Sequence, residues 1–186
     1  MTQDQIKAMQ TRIGVTPDGF WGPKSIDACK AHLRRFMASP SPWPQTDQES
    51  LTKFYGRAGD ESRLVAMQNV PQGLLYEGKQ VRTLRCHDKV ARSLRTILAQ
   101  LCDKFPAVAA QYAGCFNDRP MRGGSLPSLH ARGAAVDFDP DHNANHQSWP
   151  ISATMPLEVM EIFAAEAWIP AGAFWGRDAM HFQATR

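Results

Sequence analysis

No stretch of this chain approaches the roughly 20 consecutive apolar residues that cross a bilayer, so no membrane span is read in it. The opening Met1-Thr2-Gln3-Asp4-Gln5 has neither a basic start nor an apolar core, and so lacks the marks of a secretory leader. The protein is therefore expected to accumulate first in the cytoplasm. Its four cysteines, Cys29, Cys86, Cys102 and Cys115, are scattered with no C-x-x-C pair. They read as reduced thiols and poor zinc ligands, not as a disulfide framework. Charge of one sign is scarce in excess: 21 basic against 18 acidic residues leave a net +3. So small a balance speaks to solubility, not fold. The densest basic cluster, Arg82, Arg85, Lys89, Arg92 and Arg95, reads as the wet side of a helix. A nucleic-acid binder built on it would lose affinity steeply with salt, and no nucleic-acid partner is assigned. No internal repeat is present.

What remains is an ordinary globular composition, 43% hydrophobic over 186 residues. That length holds one domain, or a small module plus a domain of roughly 130–150 residues. Ile6, Met9 and Ile13 recur at helical spacing, and Thr16-Pro17-Asp18-Gly19 turns the chain. Pro23 suits the first turn of a second helix running to about Met37. Ser39-Pro40-Ser41-Pro42-Trp43-Pro44 follows, a run that forms neither helix nor central strand and reads as a stiff, extended linker. The division read here is a helical module over 1–38, a linker over 39–50 and a main domain over 51–186. In that domain Leu74–Tyr76 and Val81–Leu84 flank a hairpin turn. The stripe Val90, Leu94, Ile97, Leu98, Leu101 and Phe105 predicts a helix from Lys89 to Phe105, stopped by Pro106. Alternation over Ala134–Phe138 predicts a strand, and 141–148 a polar loop. Pro156 opens a helix through Trp168. Phe174-Trp175 and Met180–Gln183 read as short strands. Strands and helices do not alternate regularly, so the class is α+β: a small antiparallel sheet flanked by helices, behind a short helical module.

The chemistry lies in Ser128-x-His130-x-x-Gly133-x-Ala135-x-Asp137 and, far downstream, Asp178-x-x-His181. Two imidazoles and one carboxylate form a metal-ligand set that leaves a coordination position free for water, as hydrolytic zinc sites do. His130 and Asp137 are seven apart, which fits one surface only if the chain turns at Gly133. A second carboxylate, Asp178, stands three residues before the last imidazole, where a base is wanted. His142 and His146 form a rival H-x3-H pair, but in a polar loop that spacing loses its helical meaning. They read as solvated, and His32 and His87 have no role. Alone, H-x6-D is weak, and satisfied polar core residues would explain it equally well. The combination is specific.

The pattern S-x-H-x-x-G-x-A-x-D followed by D-x-x-H resembles the zinc D-Ala-D-Ala carboxypeptidase and L-Ala-D-Glu endopeptidase family, phage endolysins included. The likeness spans about residues 51–183 and is strongest over 117–143 and 161–183. It implies a hedgehog/D,D-peptidase-like fold and Zn²⁺ on His130, Asp137 and His181, with Asp178 as catalytic base. An aspartate there favours the endopeptidase branch. It also implies an upstream arginine, Arg119 ahead of Arg122, at the developing oxyanion or on a substrate carboxylate, and Ser128 at substrate or ordering the ligands. Ile6–Gln10 with Asp18-Gly19-Phe20-Trp21-Gly22-Pro23-Lys24-Ser25 resembles part of a peptidoglycan-binding module, short of its usual length. The implied protein is a monomeric endolysin acting on peptidoglycan, without stable membrane association, that reaches the wall once the membrane is permeabilised. A D-Ala-D-Ala carboxypeptidase, a cross-link endopeptidase and a non-catalytic zinc-bearing wall binder are the alternatives.

Overall fold

A computed structural model describes residues 1–186. Helix α1 (Gln3–Arg12) begins behind Thr2, which with Gln5 forms a reciprocal capping box. Helix α2 (Pro23–Arg34) starts on its proline and ends short of Met37. Gln10 organises the loop between them. Its Nε2 lies 2.7 Å from Asp18 Oδ1 and 3.0 Å from both Phe20 O and Ser25 Oγ, and its Oε1 accepts the Gly19 N–H at 2.8 Å.

The main sheet contains β5 (Tyr112–Gly114), β6 (Ala135–Phe138), β7 (Ile169–Pro170) and β8 (His181–Gln183), in the order β5-β6-β8-β7 with antiparallel pairing throughout. Two small ribbons precede it: β1 (Leu64–Met67) with β4 (Leu84–His87), and the hairpin β2 (Leu75–Tyr76) with β3 (Lys79–Gln80). That hairpin is tighter than its sequence implied, turning on Glu77 and Gly78 alone. Helix α3 (Gln48–Tyr55), capped by Asp47, starts within the stretch read as linker. Helix α4 (Ala91–Lys104) buries Leu94, Ile97, Leu98 and Leu101 as its stripe requires. Pro106 ends it and opens a further short helix, α5 (Pro106–Ala109). Helix α7 (Leu157–Ala165) follows Pro156 but stops three residues before Trp168, which is buried and donates Nε1–H to Ser93 Oγ at 2.8 Å.

Two segments differ in kind from expectation. Residues 140–143 form a helical turn, α6 (Pro140–Asn143), because Asn143 is fully buried and bonded on every side. It donates to Asp139 and accepts the Thr154 and Met155 N–H groups at 2.9 and 2.7 Å. Phe174 and Trp175 belong to a helix, α8 (Ala171–Trp175), not a strand. The small residues before them allow close packing: a Cβ on Gly172 would lie 2.7 Å from both Ala179 Cβ and Met160 Cε.

The fold is thus α+β. Its apolar core is continuous from Ile6, Met9, Ile13, Cys29 and Leu33 of the first helices to Phe138, Phe163 and Phe182 around the sheet. The proline-rich stretch is packed down, with Trp43 buried, its Nε1–H on Glu166 O at 2.9 Å, and Pro44 O accepting the Arg186 N–H. Polar contacts reinforce this docking: Arg12 and His32 both reach the buried Glu161 of α7, each at 2.7 Å. All four cysteines are free.

Candidate metal centre

Register brings the three candidate ligands together. Asp137 on β6 is the direct antiparallel partner of His181 on β8, so both side chains leave the same face of the sheet. Val136 and Phe138 point the other way, into the core. His130 arrives on a 3₁₀ turn (Leu129–Arg132) capped by Ser128, whose Oγ accepts the His130 N–H at 3.3 Å. Gly133 then reverses the chain with φ +64°. A Cβ there would lie 2.8 Å from His87 N and 3.1 Å from Cys86 C, so glycine is required for position as well as angle.

His130 Nδ1 donates to Cys115 O at 2.7 Å, and His181 Nε2 donates to Gln183 Oε1 at 3.0 Å. Each ring therefore turns its other nitrogen, a bare acceptor, toward the centre. His130 Nε2 and His181 Nδ1 are 3.2 Å apart, and lie 3.2 and 3.0 Å from Asp137 Oδ1. Three lone-pair atoms with no hydrogen to share repel one another unless a cation or proton sits among them. Tetrahedral zinc, bonded at about 2.0–2.1 Å, needs ligand atoms about 3.3 Å apart. The residues present fit that ion. Without an ion a proton takes that place: burial pushes the Asp137 carboxyl up, yet hydrogen bonds and charge from the two imidazoles, when protonated, prevail and hold it well below the ordinary carboxylate range.

The same cavity, about 180 Å³, is lined by Asp178, Arg119, Arg122 and Ser128 together with the three ligands. The three candidate ligands, Asp178, both arginines and Ser128 thus line one cleft. Asp178 sits at φ +59°, and its Oδ1 is enclosed with no hydrogen-bond partner. Burial raises its carboxyl above the usual range, with the Asp137 charge adding to the rise and His181 and Arg122 opposing it. An enclosed, unpartnered carboxylate oxygen facing a cleft is unusual in a folded protein. Arg119 spends Nη1 on Pro120 O at 3.2 Å, and Arg122 is exposed at the rim. Trp175 stacks on His181, with centroids 5.6 Å apart, and walls the cleft.

The rival histidines lie elsewhere. His142 is exposed and pairs with Asp139 at 2.7 Å, and neither it nor His146 lines the cleft. His87 is buried between Tyr55 O and the Lys89 N–H. Sequence reasoning missed Gln183. Its place two residues beyond His181 on a strand was the available signal, since alternate strand residues share a face. The Cys115 carbonyl had no sequence signal at all.

A family model described as D-alanyl-D-alanine carboxypeptidase matches residues 122–184. That segment holds Arg122, Ser128, the three ligands and Asp178, and leaves Arg119 and the first two helices outside it. No curated protein and no solved structure matches. Over the residues that build its cleft, the chain is similar to a peptidase family, and the likeness supports a peptidase with a His–Asp–His metal centre.

Proposed function

We propose that this protein is a zinc peptidase that hydrolyses a stem-peptide bond of bacterial peptidoglycan, the L-Ala–D-Glu bond foremost, as an endolysin does. The observation that carries the reading is the triangle of bare acceptors on His130, Asp137 and His181, with the unpartnered carboxylate of Asp178 beside it. When bound, zinc would supply Lewis acidity and an activated water. His130, Asp137 and His181 would hold it, and their single negative charge would leave that acidity largely intact. Asp178 takes the proton as water attacks the peptide carbonyl and returns it to the leaving amine, a role its enclosure suits. Arg119 or Arg122 faces the developing oxyanion. Ser128, through its cap on the His130 turn, orders the ligands. Trp175 excludes water on one side.

Residues 1–38 belong to this reading as a partial wall-binding module docked on the main domain (51–186) through the packed stretch 39–50. No helix is long and apolar enough to cross a membrane. Action at the wall as a monomer, after a partner permeabilises the membrane, completes the proposal. A second reading, a D-Ala-D-Ala carboxypeptidase, is favoured by the description of the matching family.

Digestion of purified Gram-negative peptidoglycan, with and without chelator, followed by mass spectrometry of the fragments, decides among these. New D-Glu amino termini, lost with chelator and restored by zinc, are the expected result. Free D-Ala would favour the carboxypeptidase, and new termini at cross-links a cross-link endopeptidase. No cleavage by folded, zinc-loaded protein would leave a non-catalytic wall binder.

A further inference from the structure

Beside the metal cleft lies a second, more open cavity of about 580 Å³, and Arg119 forms part of both walls. Arg57 and Arg132 also line it. Arg132 is only 4% exposed. Its Nε donates to Gly56 O at 3.1 Å and its Nη2 to Gln48 Oε1 and Thr52 Oγ1, both at 3.1 Å, while Nη1 has no partner. No carboxylate pairs with it. The other charge buried away from the metal site, Glu161, has both Arg12 and His32. An enclosed guanidinium without a counter-charge is costly, because nothing replaces the hydration it gave up. Arg57 and Arg119 are likewise outside every ion pair in the protein. The one acid on this wall, Asp118, lies with its carboxylate against Gly59 and is paired with none of the three. Three guanidiniums outside every ion pair, with Thr52 and Ser125 also on the wall, make a cavity short of negative charge.

We propose that this cavity is an oxyanion subsite, and that during turnover it receives a free carboxylate of the peptide substrate next to the bond being cut. The second half rests on the peptidase reading above. Its basis is Arg119: a peptide lying in the metal cleft has only to pass that side chain to enter the second cavity. A carboxylate is the fitting group because two coplanar oxygens match the guanidinium fork. Inorganic phosphate presents the same chemistry and serves as a probe. Arg132 supplies fixed charge at the floor, while Arg57, exposed at the rim, is free to close on the anion.

The test uses the zinc-loaded full chain and Arg57→Ala, a surface change remote from the core. Calorimetric titration with inorganic phosphate is expected to show saturable binding that weakens roughly tenfold in Arg57→Ala, the scale of a charge-assisted hydrogen bond. Equal binding by the two proteins would place phosphate on the metal and overturn the subsite. Stem peptides with the neighbouring carboxylate free or amidated then test the substrate. Amidation is expected to raise KM roughly tenfold in the wild type at little cost in kcat, and to have no effect in Arg57→Ala. Phosphate binding that depends on Arg57, with no effect of amidation, would show a site for free anions and overturn the substrate assignment. If the wild type cuts no wall peptide, the peptidase reading and the substrate assignment both fail, and phosphate alone decides the subsite.

Discussion

Asp178 and Gln183 would serve the proposed centre in different ways, and substitutions should separate them. Asp178 sits at positive φ, a region asparagine enters more readily than alanine, so Asp178→Asn removes the charge while keeping shape and backbone. It should retain zinc and thermal stability and lose activity by roughly 10²–10⁴-fold, the usual worth of a general base. Full activity in that variant, measured by release of wall peptides, would end Asp178's role. Gln183 touches no substrate in this scheme. It accepts the His181 Nε2–H and is itself held by Thr185 Oγ1 at 2.7 Å, which keeps His181 Nδ1 bare. Gln183→Leu should lower zinc affinity about 10–100-fold, read by competition with a chromophoric chelator, and Gln183→Glu should restore most of it. Equal affinity in all three proteins would reduce Gln183 to packing. The grouping of His130, Asp137, His181 and Asp178 was legible from sequence because each sits in a short motif whose residue types carry the proposed chemistry. Gln183 was not, because nothing in an amide's identity announces that it fixes a tautomer. Arg132 lies within the first motif and was passed over for the same reason: an absent counter-ion is visible only in three dimensions.

At the scale of elements, the centre depends on one reversal and one strand register. The 3₁₀ turn carrying His130 and the strand carrying Asp137 are joined at Gly133, which lies on the backbone of Cys86 and His87 and gives its carbonyl to the His87 N–H at 2.9 Å. Gly133→Ala adds a strained φ, of order 1–2 kcal/mol, to a clash with main-chain atoms that have little room to move. The expected loss is about 3 kcal/mol or more of stability in urea unfolding, with zinc affinity falling in the fraction that still folds. A loss under 1 kcal/mol would mean that the turn relaxes freely. The turn was legible, since only a bend at a glycine puts residues seven apart on one site. Helix α8 was not. Two adjacent aromatics resemble strand residues locally, and the close approach of Gly172 to Ala179 that makes the segment helical is a tertiary contact.

Across the whole molecule, the first two helices are docked on the main domain, and what holds them there was beyond sequence reading because Arg12 and Glu161 are 149 residues apart. A proline-rich run reads locally as a spacer, and only Trp43 against Trp168, with centroids 6.3 Å apart, reveals it as packing. One continuous core should unfold as one unit, giving a single calorimetric transition for the full chain. Glu161 provides the probe. Burial pushes its carboxyl up, but the hydrogen bonds and charges of Arg12 and His32 prevail and hold it below its ordinary value. Its contribution is therefore complete above the unfolded-state pKa of about 4.3 and disappears as the pH falls through the lower folded-state value. At pH 7, Glu161→Gln should cost roughly 2 kcal/mol, less than a fully buried pair because Arg12 is half exposed. That corresponds to about 4–8 °C in Tm for a chain of this size. Once the pH has fallen below that lowered folded-state value the two proteins should converge, since the wild-type carboxyl is then protonated as well. Two separate transitions, with only the smaller one shifted by Glu161→Gln, would mean that the N-terminal helices fold apart from the domain they cover and that the core is not shared.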